Sequence, residues 1–397
     1  MPLALETTFW LALLLLGYLY VGYPLVAWLR ARVSPHPHRR EPIAPAVTLV
    51  VVAHNEAERI EGRIRNLLNL DYPAAQLDII IASDGSTDDT VERARMHADA
   101  RVAVLAFRFR RGKPAVLNDV VPSARGDIVV LADARQRFES DSVTALVSNF
   151  ADPSVGAVSG ELMLSPGTTA AGDGAGFYWG YEKFMRRCES RSDSTAGATG
   201  AIYAIRRTLF EPIPADTILD DVLIPLRMVR RGYRVLFDAK ARAIDGPSAT
   251  GRQEFVRKAR TIAGTFQLFC RERWLLNPLR NRIWFQTMSH KGLRLAAPLL
   301  HAAVLATCIG LRDLPMYRLM LFAQAAFCGA AVAGWAEGHR TRRLRIVTVP
   351  YAICLMHWAT IVACVRFVTG HQQVMWDRVT PTPRRPPTRA LLRSRHS

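Results

Sequence analysis

Two hydrophobic patterns alternate along the chain. Phe9–Leu29, Leu293–Leu311, Met316–Trp335 and Ile346–Val368 are long apolar stretches, interrupted only by Arg294, Arg318 and Arg366 near their ends. A helix needs about 20 apolar residues to cross the hydrocarbon of a bilayer. The pattern therefore predicts four membrane-embedded segments, one N-terminal and three C-terminal.

Between the first and second of these, the apolar runs become short and rich in β-branched residues. Val47–Ala53, Asp78–Ser83, Arg101–Ala106, Asp127–Ala132 and Val155–Ser159 read as strands buried on both faces. Helical patterns separate them. One reaches about Leu70, with Ile60, Ile64, Leu67 and Leu68 on one side. Another starts at Thr87, Asp88 and Asp89 in the N-cap manner. A third opens at Gly112, Lys113 and Pro114, and a fourth covers Ser140–Phe150. This alternation predicts an α/β domain with a mostly parallel sheet and helices on both faces. Further on, Tyr178–Glu189 reads as a helix, Ser194–Gly200 as a small flexible loop and Ile202–Ile205 as a strand. Asp220–Gly232 then reads as a helix and Tyr233–Phe237 as a strand. Arg252–Leu276 sets basic residues against Phe255, Ile262, Phe266, Leu268, Phe269 and Trp274 directly before a span, the pattern of an interfacial helix on the cytoplasmic leaflet. The resulting division is a transmembrane helix over 1–30, a linker over 31–45 and an α/β domain over 46–250. Amphipathic interfacial helices over 251–290, a transmembrane region of about three helices over 291–370 and a basic Pro-rich tail over 371–397 follow.

Charge refines this picture. The net charge of +18 invites a nucleic-acid reading, but the basic residues crowd beside the apolar segments. Arg30, Arg32, Arg39 and Arg40 follow the first span, Arg280, Arg282, Lys291 and Arg294 flank the second, and Arg340, Arg342, Arg343 and Arg345 lie between the last two. This is the positive-inside distribution, with attraction to anionic lipid added. It excludes nucleic acid as the expected partner and predicts an integral protein of the plasma (inner) membrane. The N-terminus is outside and the α/β domain cytoplasmic. Three later spans put the C-terminus outside, yet six arginines follow Asp377. Either one apolar segment is re-entrant or the tail breaks the rule. A signal peptide at the N-terminus is disfavoured by the length of the apolar run and the absence of a preceding charged stretch. The six cysteines show no CxxC spacing and read as small buried hydrophobes of a reducing compartment.

Three predicted strand ends carry polar groups: His54, Asn55 and Glu56; Asp84, Gly85 and Ser86; and Asp133. In a parallel sheet the carboxyl ends share one edge, so these groups converge. Carboxylates there hold a metal ion or accept hydrogen bonds from a base or ribose. Asp133 taken alone is either such a ligand or the cap of the next turn. Lys113 supplies the opposite charge, although a lone lysine is more often a solvated surface residue. Phosphate-binding GxxxxGK[ST] and GxGxxG signatures are absent. Asp220 and Asp221 open a helix, where two acids serve either its dipole or chemistry.

Six short motifs carry a resemblance: Val51–Glu56, Ala82–Asp89, Gly112–Lys113, Leu131–Arg135, Gly197–Ala201 and Leu219–Val222. In this order, over residues 45 to about 275, the chain resembles a membrane-bound family 2 glycosyltransferase of the polysaccharide-synthase-like kind. The resemblance implies a GT-A nucleotide-diphospho-sugar transferase domain with N-terminal and C-terminal transmembrane helices. It also implies transfer of a sugar from a UDP- or GDP-linked donor to a glycan or lipid-linked acceptor. By position, His54, Asn55, Glu56 and Asp84 would meet the nucleotide-sugar, Lys113 the diphosphate, and Asp133 a divalent metal, Mg or Mn. Asp221 would be the catalytic base of an inverting displacement, supported by Asp220. Gly197, Thr199 and Gly200 would face the acceptor, with Gln267. Two departures stand out. Arg135 occupies the place of a second metal-binding acid, and Cys270, Arg271, Arg273 and Trp274 fall out of register with the Gln-x-x-Arg-Trp of processive members. A polyprenyl-phosphate glycosyltransferase and a non-catalytic membrane scaffold or transport component are the competing readings.

Overall fold

The computed structural model describes residues 2–97, 99–164, 170–246, 251–336 and 345–371. Helix α1 (Pro2–Gly17) passes through a π turn at Tyr18–Gly22 into α2 (Tyr23–Val33), so the first expected span lies within one continuous helix. The α/β domain then opens with β1 (Val47–Ala53), α3 (Ile60–Leu68), β2 (Leu77–Asp84) and α4 (Thr90–Arg95). The start of α4 is held by Asp88, whose carboxylate accepts the Thr90 N–H at 3.1 Å. β3 (Val102–Phe107), α5 (Lys113–Ser123) and β4 (Ile128–Asp133) follow. The unheralded two-residue β5 (Arg137–Phe138) and α6 (Ser142–Val147) come next. The domain closes with β6 (Val155–Leu164), α7 (Ala170–Ser192), β7 (Ile202–Arg206), α8 (Asp220–Arg230) and β8 (Arg234–Asp245). β6 and β8 outrun the expected strands because they pair with each other from Val155↔Arg234 to Leu164↔Asp245. The second half of β8 alternates buried and exposed positions, which a search for continuous apolar runs passes over.

Among the described residues, eight strands form one sheet in the order β3-β2-β1-β4-β7-β6-β8-β5. β3, β2, β1 and β4 are parallel, as are β6 and β8; β7 runs antiparallel to both β4 and β6, and β5 to β8. The sheet is thus mixed, where the sequence pattern suggested a mostly parallel one. The reversal at β7 comes from its connection. α7 leads the chain back along the sheet to where Thr195 N–H donates to Val235 O (2.9 Å), and residues 196–201 return it to the edge where β1, β2 and β4 end.

Alternate residues of the buried strands feed two apolar layers. Leu49, Val51, Ile79, Ile81 and Val130 pack with Ile60, Ile64 and Leu67 of α3 and with Val143 and Leu146 of α6. Val50, Val129 and Leu131 pack on the other face with Val116, Leu117 and Val120 of α5 and with Leu223 and Leu226 of α8. Truncating one such leucine to alanine costs about 2–5 kcal/mol. The layers fix the sheet rigidly and leave its carboxyl edge to carry polar groups.

After the domain come α9 (Gly251–Arg271), α10 (Trp284–Thr287), a π turn at Met288–Gly292, α11 (Leu293–Gly310), α12 (Pro315–Ala336) and α13 (Arg345–Val368). Among the described residues, four helical stretches are long and apolar enough to cross a membrane: Leu3–Val33, Trp284–Gly310, Pro315–Ala336 and Ile346–Val368. Phe9, Ala12 and Leu16 pack on Val304, Cys308, Leu311 and Tyr317, while Leu14, Leu299, Phe322 and Trp335 are exposed outward. Exposed apolar surface on this scale marks a surface meant for a non-aqueous partner. α13 packs against both α12 and α9. The cysteines are unpaired, but Cys270 and Cys328 are exposed and not buried as expected. The basic 337–344 stretch and the Pro-rich tail after 371 lie outside the described residues.

Candidate active site

A cavity of about 1050 Å³ opens at the carboxyl edge of the sheet. Its lining includes His54, Asn55, Glu56, Asp84, Lys113, Asp133, Thr199, Gly200, Asp220 and Asp221. Residues far apart in sequence meet here because β1, β2 and β4 end side by side: Val52 is paired with Ala82 in β2 and with Asp133 in β4.

The β1 and β2 ends are knitted together by hydrogen bonds. His54 Nδ1 lies 2.7 Å from Asp84 O, and Asn55 Oδ1 accepts the Thr87 N–H at 2.8 Å. Asn55 sits in the left-handed region at φ 54°, a conformation asparagine tolerates better than most residues. Glu56 is almost buried; its Oε2 accepts from Arg59 Nη1 at 2.9 Å, and its backbone N–H donates to Thr90 Oγ1 at 2.8 Å. Asp84 is 3% exposed and accepts the N–H groups of Arg111 (2.7 Å) and Gly112 (2.8 Å). It therefore latches the 108–112 loop across the edge of the sheet. Gly85 makes this latch possible. Its φ is +60°, and a Cβ there would lie 2.4 Å from Arg110 N.

Lys113 Nζ lies 3.0 Å from Asp133 Oδ1 and 3.3 Å from Asp220 Oδ2. Burial alone would lower its pKa, but Asp133, then Asp220, outweigh that and hold the ammonium charged. Arg135, in the place of a second acid, pairs with the buried Asp245 at 2.7 Å. The guanidinium also lines the cavity.

Asp221 is the second residue of α8, beside Asp220. Gly200 N–H donates to its Oδ2 at 2.8 Å, and Ala198 N–H donates to its backbone oxygen at 2.9 Å. The 194–201 loop that supplies these donors is buried and bonded, not flexible. Thr199 N–H donates to Ser159 Oγ (3.1 Å) and Thr195 Oγ1 to Gly197 O (2.7 Å). Gly197, at φ +131°, lies under Val222, outside the cavity lining. Burial first, and the Asp220 carboxylate second, push the Asp221 pKa up to about 6, against the opposing pull of Lys113. The helix dipole favours the ionised form by only about 0.3–1 kcal/mol, too little to offset burial beside a like charge.

Gln267 is not in the lining. Its Oε1 accepts the Ile218 N–H (3.0 Å) and its Nε2 donates to Asp216 O (2.8 Å), so it braces the loop before α8.

A divalent ion would find a single carboxylate. Asp133 presents a half-exposed side chain whose Oδ2 is unbonded among the described residues, while Oδ1 meets Lys113. Among those residues, no group of three His, Cys, Asp or Glu is placed to hold a metal. One hard oxygen ligand with the rest of the shell drawn from a bound diphosphate suits a Mg-type ion, so the residues fit a shared ion and not a protein-built cage.

Sequence reasoning passes over a second cluster beside this site. His290 Nδ1 lies 2.7 Å from Glu189 Oε1 and its Nε2 3.0 Å from Glu182 Oε1, Tyr23 Oη donates to Glu189, and Arg294 Nη1 donates to Glu182 Oε2 at 3.0 Å. A signal is present: Glu182 and Arg186 stand one helical turn apart, and His290, Lys291 and Arg294 enter an apolar helix. The positive-inside pattern absorbs those cations.

The mixed sheet with acids on its carboxyl edge, flanked by long apolar helices, defines the GT-A class of glycosyltransferase fold. The mannosyltransferase PcManGT from Pyrobaculum calidifontis, solved in complex with GDP-Man and Mn2+, shares it. The match has a TM-score of 0.71 at 23% identity and covers 92% of this chain and 99% of that one. Residues 48–213 match the sequence profile of Glycosyl transferase family 2. The chain is 28% identical over 205 residues to the poly-beta-1,6-N-acetyl-D-glucosamine synthase of Staphylococcus aureus, which covers 49% of this chain and 48% of the relative. It is 31% identical over 161 residues to the beta-monoglucosyldiacylglycerol synthase of Trichormus variabilis, 39% of this chain and 34% of the relative. The chain thus spans about half or less of the length of these curated relatives.

Proposed function

We propose that the protein is an inverting glycosyltransferase of the plasma membrane. It moves a sugar from a UDP- or GDP-linked donor to a hydroxyl of a glycan or lipid-linked acceptor on the cytoplasmic face. The observation that carries this reading is the placement of Asp221: its carboxylate is fixed by Gly200 N–H and lines the cavity together with Lys113 and Asp133, and burial beside Asp220 pushes its pKa up to about 6. A base tuned this close to neutrality accepts a proton efficiently yet is ionised at pH 7.

In the reaction, the acceptor hydroxyl attacks the anomeric carbon as its proton passes to Asp221 Oδ1, the oxygen not held by Gly200. The bond from the anomeric carbon to the phosphate oxygen breaks, and its electron pair leaves with the nucleoside diphosphate. Attack opposite the leaving group inverts the anomeric configuration. Lys113, held between Asp133 and Asp220, places a positive charge on the departing side. A divalent ion held by Asp133 and the diphosphate would neutralise leaving-group charge. The relatives support the class of product: one is named for a polysaccharide and one for a glycolipid. A phosphate nucleophile is already ionised at pH 7 and needs no base, so a carboxylate held in the cavity at Asp221 favours a hydroxyl acceptor over a polyprenyl phosphate. The test is Asp221→Asn in the purified full-length protein. Transfer should collapse while nucleotide-sugar binding by calorimetry persists; turnover at the wild-type rate would sink the assignment.

A further inference from the structure

The cavity does not stop at the catalytic edge. The side of α13 bearing Val349, Ala352, Ile353 and Met356 continues its lining, at the i, i+3, i+4, i+7 spacing of one helical face. Leu19 of the N-terminal helix and Leu295 of α11 complete this apolar part. Tyr20 and His357, which also line it, satisfy each other through Oη and Nε2 at 3.0 Å. One cavity therefore joins the base to side chains of three helices long enough to cross a membrane.

Lys291 lines the same cavity. Its neighbours are neutralised locally: His290 lies between Glu182 and Glu189, and Arg294 donates to Glu182. Among the described residues, Lys291 Nζ alone of these groups has no hydrogen bond or ion pair; half-buried, it lines the cavity, within electrostatic reach of Glu182 first and Asp221 after it. A cation removed from bulk water without a partner is costly, and cations inside membrane helices mark binding sites. The one lining thus combines a base for a hydroxyl, a cation without a hydrogen-bonded partner and an apolar helix face.

We propose that the acceptor is a glycan carried on a membrane lipid through a phosphate or diphosphate link, that Lys291 binds this link, and that the lipid chain lies along α13. The proposal rests on the transferase reading above and names its acceptor. A free glycan would leave both the groove and Lys291 without a partner; a neutral lipid would fill the groove but not match the ammonium.

The test uses the full-length protein in detergent, with farnesyl phosphate, farnesol and inorganic phosphate as probes followed by native mass spectrometry. In the wild type, farnesyl phosphate should bind about tenfold or more tightly than farnesol, and inorganic phosphate should not saturate the site. Lys291→Met should weaken farnesyl phosphate about tenfold, and Lys291→Arg should restore most of it. Ala352→Trp, which fills the groove without touching charge, should weaken farnesyl phosphate and farnesol alike. Equal wild-type affinity for farnesyl phosphate and farnesol overturns the proposal without recourse to any variant, as does inorganic phosphate binding as tightly as the lipid. If no nucleotide-sugar is turned over by the wild type, the transferase reading fails instead, a result separate from the lipid measurement.

Discussion

The donor edge and the acceptor side of the cavity are built on opposite plans. At the sheet edge most polar groups are satisfied by neighbours close in space, with Asp133 Oδ2 left open among the described residues. Asp84 holds two backbone N–H groups, Asn55 holds Thr87, and Lys113 holds Asp133. On the acceptor side the groups come from α7, α8, α9, the π turn before α11, and α13, and two are left poised: Asp221 by its raised pKa and Lys291 by its missing partner. On the proposed reading, the sheet edge that would hold the donor is pre-formed scaffold, whereas the side that would receive the acceptor keeps Asp221 and Lys291 only part-satisfied.

The largest expected effect tests that division directly. Asp221→Asn should lower the transfer rate by about 10²–10⁴-fold, the usual contribution of a general base, with donor affinity unchanged. Asp133→Ala comes next. It should abolish any difference in nucleotide binding with and without manganese or magnesium, read by calorimetry; a wild type that binds equally well without either ion removes the metal role. A subtler test is the pH profile. Asp221 must be ionised to accept a proton, so activity should fall as pH drops through about 6. Asp220→Asn should move that limb to lower pH, since one of the two causes raising the pKa is gone. A limb that stays in place would show burial alone sets it. Smallest is Gln267→Ala, which removes two hydrogen bonds to the loop before α8. It should cost about 1–3 kcal/mol in thermal unfolding, with the pH limb unmoved; loss of acceptor recognition in a stable variant would return Gln267 to the acceptor site.

The same contrast explains how much of the molecule is legible in the amino-acid sequence. The strands β1, β2 and β4 are continuous apolar runs, so the pattern itself marks their ends, and with them His54, Asp84 and Asp133. The pairing of Lys113 with both Asp133 and Asp220 is not legible, because it depends on where α8 starts relative to the edge. β7's reversal is hidden for a related reason: its direction is set by the return of residues 196–201, which no local pattern encodes. The loop 194–201 looks mobile by composition, yet its small residues are what allow it to be buried against α8. Arg135 is legible as an anomaly, but its partner Asp245 ends a strand whose second half alternates and escapes a search for apolar runs. Lys291 and Arg294 read as topology signals because a span boundary and a binding site call for the same residues.

The wall of the cavity draws on both Leu19 and Tyr20, early in the chain, and on Val349 to Thr360, late in it. During synthesis the whole α/β domain emerges before α13 does. The nascent protein therefore holds its donor edge and its base for the time needed to make a further hundred or so residues, with one side of the chamber missing. On the proposed reading, the chamber gains its last described wall only when α13 joins it. A shortened protein ending before residue 345 would lack the α13 wall of the chamber.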